Sequence, residues 1–399
     1  MVNKNFSKLL PLFLFLVLSQ FSYGQSKSDD FSFIVSSDQR AHATESFRSK
    51  EYTLGGYEAI KKFGKGSFMV VLGDLDPPEA TFDLIDKVLG KDYSRYAVVG
   101  NHDIEKPESI EYLREINRGD KSYPNLVRRG PAGCEETTYS FDWGNVHFVV
   151  LNVYYDGKAD NAADGNISPE LLNWLENDLS LNRKKHVFVF GHEPVFPVLD
   201  MDTGTVRHYG DALDKYLANT LKFEQVLQKY KVTAYLSGHV HCASYSTING
   251  LWLLNSGHIY GQEDNFTAEK LFERLNEEIV KAKSKGVSKE DEMKAFFQSQ
   301  LKEIKKVVFN FGFGEAREMD YKSLKDEETW NYFVKFFEDC SRDKSELKRY
   351  SELFWKNTIW RPSTFLKIKI HGESALLEIY RDKDYTGNYV LRHTQLLNR

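Results

Sequence analysis

Cysteine is nearly missing from this chain: Cys134, Cys242 and Cys340 are the three present in 399 residues, and they stand far apart. That number and spacing exclude a disulfide framework and a thiolate zinc module. Proline is scarce, at 10 residues, which argues against long extended linkers. Positive charge is not in excess. The formal net charge of −5 removes the footprint of a strongly basic protein, so no nucleic-acid scaffold binding is expected. What the chain has in quantity is aromatic surface, with 28 Phe and 22 Tyr, enough for a large core. Its 41% hydrophobic and 28% charged residues are those of a folded globular protein.

The N-terminus reads as a leader rather than as part of the fold. Lys4 and Lys8 precede an apolar run, Leu9–Leu18, and Ser22-Tyr23-Gly24 offers a small-residue cleavage site. Pro11 interrupts the run, which spans about half of the roughly 20 residues a membrane-spanning helix needs. The expectation is a signal peptide over residues 1–24, a secreted or periplasmic protein, and no stable membrane anchor. In an oxidising compartment three cysteines leave at least one thiol unpaired.

The remainder reads as an α/β body with a helical insertion. Phe31–Val35, Phe68–Leu72, Tyr96–Val99, His147–Leu151, Val187–Phe190, Val232–Leu236 and Leu251–Leu254 are short, apolar and rich in β-branched and aromatic residues. Such runs suit strands buried on both faces. Helical stretches alternate with them. The clearest starts at Ser168, an N-cap residue followed by Pro169 and the stripe Leu171, Leu172, Trp174, Leu175 and Leu179. From 263 to 361 the chain turns Lys- and Glu-rich with helical periodicity, as in Leu271, Leu275 and Ile279. Alternation returns at Phe365–Ile370 and Ala375–Tyr380, which read as a closing hairpin around His371-Gly372-Glu373-Ser374. The expected organisation is a domain over 29–262, completed by 362–397, with 263–361 inserted. A separate C-terminal domain is the alternative.

Five strands end in the same punctuation. Phe33–Ser37 runs into Asp38, Val70–Leu72 into Gly73-Asp74, and Val98-Val99 into Gly100-Asn101-His102-Asp103. Phe188–Phe190 runs into Gly191-His192, and Tyr235–Ser237 into Gly238-His239-Val240-His241. Ligands of open α/β sheets bind beyond the carboxyl ends of strands. A glycine there lets the backbone turn sharply and approach closely. Two Asp, one Asn and three His are therefore expected to converge as an oxygen-and-nitrogen donor set, which suits Mn, Fe or Zn.

In order and spacing this set resembles the calcineurin-like metallophosphoesterases: Asp-x-His, Gly-Asp, Gly-Asn-His-(Asp/Glu), Gly-His and Gly-His-x-His. Four of the five elements are intact, and the likeness covers about 31–257 plus the C-terminal hairpin. It implies an αββα sandwich, two sheets flanked by helices, and two divalent metals. By motif position Asp74 would bridge the metals. Asn101, His192 and His239 would hold the second metal, and Asp38 and His241 the first. His102 would be the general acid, with Asp103 orienting its ring. Two metals can clamp phosphoryl oxygens and acidify a water molecule, and a protonated His can donate to the leaving oxygen.

The first element departs from the pattern, reading Asp38-Gln39-Arg40. Arginine is a permanent cation with five donors and no lone pair for a metal. Three consequences follow as alternatives. Water fills the gap; His42 or His258 substitutes; or the first metal is weak or absent and Arg40 grips phosphate. The leading expectation is an exported metal-dependent hydrolase of phosphomonoesters or phosphodiesters. The alternative is a non-hydrolytic phosphoryl-ligand binder, and the presence of His102 separates the two. His208, in a polar loop after the fourth motif, is a further candidate to approach substrate, whereas His147 and His186 read as structural.

Overall fold

A computed structural model describes residues 30–40, 49–204, 206–259, 268–312, 323–350, 362–382 and 387–397. The leader reading at 1–24 and His42 lie outside the described residues. In chain order the body opens with β1 (Phe31–Ser36), α1 (Ser49–Phe63), β2 (Phe68–Val71), α2 (Pro78–Leu89), β3 (Ser94–Ala97), α3 (Asn101–Ile104) and α4 (Pro107–Glu115). It continues with β4 (Leu126–Arg129), β5 (Tyr139–Trp143), β6 (Val146–Val150), α5 (Pro169–Leu181) and β7 (His186–Phe190). Next come α6 (Leu217–Lys229), β8 (Ala234–Ser237), β9 (Ala243–Ile248) and β10 (Leu251–Ser256). Three helices follow, α7 (Ala268–Ser284), α8 (Lys289–Gly312) and α9 (Asp326–Arg342), and then β11 (Thr364–His371), β12 (Ser374–Asp382) and β13 (Tyr389–Leu396).

Two mixed sheets form, in the orders β13-β12-β11-β1-β2-β3 and β4-β5-β6-β7-β8-β10-β9. Within the first, β1, β2 and β3 are parallel; within the second, β6, β7, β8 and β10 are parallel. The parallel strands are the continuous apolar runs. Each residue of β2, β6, β7 and β8 is buried, as expected where both faces of a sheet are covered. One face of each sheet meets the other across an aromatic core. Phe33 stacks on Phe68 at 5.3 Å and meets Phe148 edge-on at 5.1 Å. Phe141 stacks on Phe148 at 4.8 Å. Burying a side chain of this kind contributes ~1.5–3 kcal/mol, so these rings are a main source of the stability that fixes the strand ends. A second apolar cluster joins α1, α2, α4, α5 and α6 to the outer faces, through Ile60, Ile85, Ile110, Leu175 and Phe223 among others. This is the expected αββα sandwich.

Helix α5 begins as its sequence implies, with Ser168 Oγ accepting the N–H of Leu171. Helices α7, α8 and α9 carry an apolar cluster of their own, including Leu271, Leu275, Phe297, Ile304 and Phe333. After them the chain returns to the first sheet. β11 pairs antiparallel with β1, with Phe31 opposite Ile370, and His371 faces Ser374 across the hairpin turn. The closing unit is larger than the expected hairpin, because β13 adds a third strand. The three cysteines are buried and form no disulfide. Among the described residues no helix is long and apolar enough to cross a membrane.

Candidate metal centre

The five punctuated strands are β1, β2, β3, β7 and β8, and their carboxyl ends meet. The segments after them are cross-linked through the backbone. Asp38 N–H donates to Gly73 O at 3.0 Å, Arg40 N–H to Asp74 O at 2.9 Å, and Gly238 N–H to His192 O at 2.8 Å. The glycines make this approach possible, but the space they leave is filled by neighbouring motifs. A Cβ on Gly100 would lie 2.3 Å from Asp74 Oδ1, and one on Gly238 would lie 2.7 Å from Asp38 Oδ2. Asp38, Arg40, Asp74, His239 and His241 all have φ between 41° and 66°. L-residues rarely adopt that region, and it persists only where the surroundings hold it. The strain is therefore gathered on the residues singled out by the motifs.

Four donor atoms converge on one point. Asn101 Oδ1 lies 3.2 Å from His192 Nε2 and 3.1 Å from His239 Nδ1, and Asp74 Oδ1 lies 3.3 Å from His192 Nε2. The other nitrogen of each ring is already engaged: His192 Nδ1 with Leu72 O at 2.6 Å and His239 Nε2 with Asp211 O at 3.3 Å. A backbone carbonyl only accepts, so those nitrogens carry the protons. The nitrogens facing Asn101 are therefore lone pairs, set against a carbonyl lone pair. A cation at their centre resolves this arrangement. Ligands about 2.1 Å from an octahedral ion sit ~3.0 Å apart, close to the separations found. Carbonyl partners on the far ring nitrogens are the usual orienting contacts of metal-bound histidines. Electrostatics agree. Burial, and then repulsion from Asp38, push Asp74 up to about 8, and burial pushes His239 down to about 2. A divalent ion reverses the first effect and is compatible with the second. Asp38, Asp74 and His192 also each offer a ligand atom, all within 4.8 Å of one another.

The Asp38 side is different. Burial would raise Asp38, but the His241 ring and the other partners win and hold it well below the usual carboxylate range. His241 Nε2 faces Asp38 Oδ1 at 3.3 Å, Ser37 Oγ–H donates to Asp38 Oδ2 at 2.6 Å, and His239 N–H donates to the same oxygen at 3.0 Å. Behind His241, the guanidinium of Arg207 contacts its Nδ1. Arg40 lies beside Asp76, with Nη2 3.5 Å from Oδ2. His258 is buried with its ring 5.3 Å from that of His241.

The structure corrects one role. Asp103 does not reach His102. Its carboxylate accepts the backbone N–H groups of Asp74 at 3.0 Å, Leu75 at 2.9 Å and Gly100 at 2.8 Å. It ties the loop after β2 to the helical turn α3. The carboxylate beside the His102 ring belongs to Glu105, with Oε1 2.9 Å from Nδ1. His102 Nε2 points towards the centre, 3.9 Å from Asp74 Oδ2, and its backbone N–H donates to Asp74 Oδ1 at 3.0 Å. His102 is brought to the site. So is His208, whose ring centre lies 4.3 Å from that of His239, tilted by 34°. With Asn101, His239, Glu193, Asp211 and Lys215 it lines a cavity of about 160 Å³. His147 and His186 sit away from the site as structural residues. His147 lies between Asp142 and Asp178, and His186 lies against Gly372 O. Arg207, Glu193 and Glu105 were not singled out by sequence. Glu193 follows His192 directly, and Arg207 precedes His208, but neither belongs to a motif.

Comparison with known proteins places these observations in a family. Residues 46–243 match the sequence profile described as calcineurin-like phosphoesterase. A Xenopus tropicalis protein named as a manganese-dependent ADP-ribose/CDP-alcohol diphosphatase is 28% identical over 158 residues, covering 38% of this chain and 37% of that protein. The chain thus aligns with well under half the length of that relative. A solved structure titled "Structure of PhoD" is similar at a TM-score of 0.46 and 11% identity, over 92% of this chain and 69% of that one. A putative 5'-nucleotidase from Staphylococcus aureus is similar at a TM-score of 0.36 and 15% identity, over 57% of this chain and 49% of that one.

Proposed function

We propose that this chain, which belongs to the calcineurin-like phosphoesterase family, is a metal-dependent phosphoester hydrolase. The observation that carries the reading is the convergence of Asp74, Asn101, His192 and His239, with ring lone pairs facing a carbonyl oxygen. These four residues would hold a divalent ion. When bound, it would act as a Lewis acid on a phosphoryl oxygen and lower the pKa of water. The chain's own groups supply the rest. His102 Nε2 faces the same centre and is positioned to donate a proton to the leaving oxygen. Glu105, with Oε1 2.9 Å from Nδ1, holds that ring in place. Asp103 fixes the two loops that carry Asp74 and Asn101. Asp38 contributes negative charge on the far side.

Manganese and diphosphate esters are the first cation and substrates to try, on the strength of the Xenopus relative's name. We also infer export directed by residues 1–24, and treat 263–361 as an insertion whose helices pack on their own cluster. The test is hydrolysis of chromogenic monoester and diester substrates and of a nucleoside diphosphate ester by metal-stripped protein, with Mn, Zn, Fe, Ca and Mg added back. Metal-restored turnover is expected. Metal binding without turnover of any of them would favour the non-hydrolytic phosphoryl binder.

A further inference from the structure

The resemblance to the calcineurin-like phosphoesterases implies two ions, yet the residues on the Asp38 side do not fit a second one. A metal there needs donor lone pairs. Arg40 has none. His241 also loses its own, for a reason that lies in a loop. The Arg207 guanidinium only donates, so its contact with His241 Nδ1 makes that nitrogen an acceptor. The neutral ring then carries its proton on Nε2, the atom that faces Asp38 Oδ1 at 3.3 Å. His241 Nε2 thus carries an N–H, not a lone pair, on the side where Asp38 lies. Of the residues that the motifs assign to this side, Asp38 and a share of Asp74 are left for a second ion, below the three or four protein ligands that such ions ordinarily take.

Arg207 is held where it is. Seven residues before it, Asp200 is fully buried and pairs with Arg381 of β12 at 2.8 Å, and it accepts the backbone N–H of Ala243 at 2.9 Å. Four residues after it, Asp211 O accepts from His239 Nε2. The loop is thus pinned on both sides of Arg207. On the other flank Arg40 presents a buried Nε that has no hydrogen-bond partner among the described residues. Two guanidiniums, with the His241 lone pair turned to Arg207, make this a site for an anion's oxygens rather than for a cation.

We propose that the chain holds one divalent ion, at Asp74, Asn101, His192 and His239, and that Arg207 and Arg40 take the place of the second, binding the phosphoryl group of the substrate on the Asp38 side. This rests on the phosphoesterase reading above but is separable from it. Metal-stripped full-length protein is titrated with Mn²⁺ by calorimetry, and the metal content of the loaded protein is measured. Wild type is expected to take up one equivalent and to give the magnetic resonance spectrum of an isolated ion rather than of a coupled pair. The double variant Arg40→His/Arg207→Ala, which restores one ligand and frees another, is expected to take up two. Inorganic phosphate is expected to bind loaded Arg207→Gln about ten- to a hundredfold more weakly than wild type, the effect of losing hydrogen bonds to a charged group. Arg207→Lys, which keeps the charge but not the fork, is expected to fall between them. Two equivalents with a coupled-pair spectrum in wild type would overturn the proposal and leave the phosphoesterase reading standing. Unchanged phosphate binding in Arg207→Gln would also overturn it. No metal uptake at all would remove the phosphoesterase reading, and this one with it.

Discussion

Asp103 accepts the backbone N–H of Asp74 at 3.0 Å and makes no hydrogen bond to the ring of His102, its neighbour in sequence. The helical turn α3 explains this. Adjacent residues on a helix point in different directions, whereas residues three apart share a face. Glu105 is three residues from His102, and it is the carboxylate that meets the ring.

Asp103 should therefore behave as a brace. In Asp103→Ala three backbone N–H groups lose a buried carboxylate, and hydrogen bonds to a charged group contribute about 1.5–3 kcal/mol each. We expect at least ~3 kcal/mol less stability in urea unfolding, together with weaker Mn²⁺ binding. Asp103→Asn should recover part of both. A variant as stable as wild type but with altered leaving-group dependence would assign Asp103 to the His102 ring after all.

His192 tests the metal centre. With its Nδ1 held by Leu72 O, only Nε2 is free to bind an ion. An ion that binds the native state alone raises the melting temperature by mass action. Mn²⁺ should raise that of metal-stripped wild type and leave His192→Ala unmoved. An equal rise in both proteins would place the ion elsewhere.

For His102 the readout is the leaving group. General acid catalysis contributes about 10²–10⁴-fold and matters most where the leaving oxygen is basic. His102→Asn should lose far more activity on an alkyl phosphoester than on a nitrophenyl ester, with unchanged metal content. Glu105 is largely exposed, and an exposed pair contributes at most ~1 kcal/mol. Glu105→Gln should show the same asymmetry at less than about tenfold. Equal losses of His102→Asn on both esters would point to positioning instead.

The central strands were legible because burial on both faces leaves a continuous apolar run. Three of the four edge strands were not. β4 (Leu-Val-Arg-Arg), β9 and β13 have half-exposed or exposed positions, whose polar residues break the apolar run. β5 alternates Tyr139, Phe141 and Trp143 with Ser140 and Asp142, and its polar side is satisfied through contacts such as Ser140 with Asp178, which only the fold brings together. β3 starts two residues earlier than expected, because Val98 and Val99 already lead into the loop. The metal donors could be found because each follows a strand directly. Arg207 could not: it sits in a loop whose placement depends on Asp200 meeting Arg381 from a strand near the other end of the chain.

His147 supplies a prediction about stability. It reads in the sequence as one more apolar strand's polar residue, and in the fold it is buried between two carboxylates. Nδ1 lies 2.7 Å from Asp142 and Nε2 2.8 Å from Asp178. Both nitrogens can donate only in the imidazolium form. Burial works against that charge, but Asp178 and then Asp142 outweigh it, and the His147 pKa is raised. Lys184 beside Asp142 at 3.4 Å and Arg128 beside Asp178 at 3.5 Å are the other charges facing the pair. A pKa higher in the folded state means that the folded state binds the proton more tightly. The resulting stabilisation is fully present below the unfolded value of about 6.5 and is lost as pH rises through the folded value. Urea unfolding of wild type and His147→Gln, from about pH 6 to about pH 9, isolates this group from the others that titrate. The advantage of wild type should be largest at the acid end and shrink towards the alkaline end. A difference that stays constant, or that grows with pH, would mean that His147 is held neutral and that the two carboxylates do not share a proton-dependent bond with it.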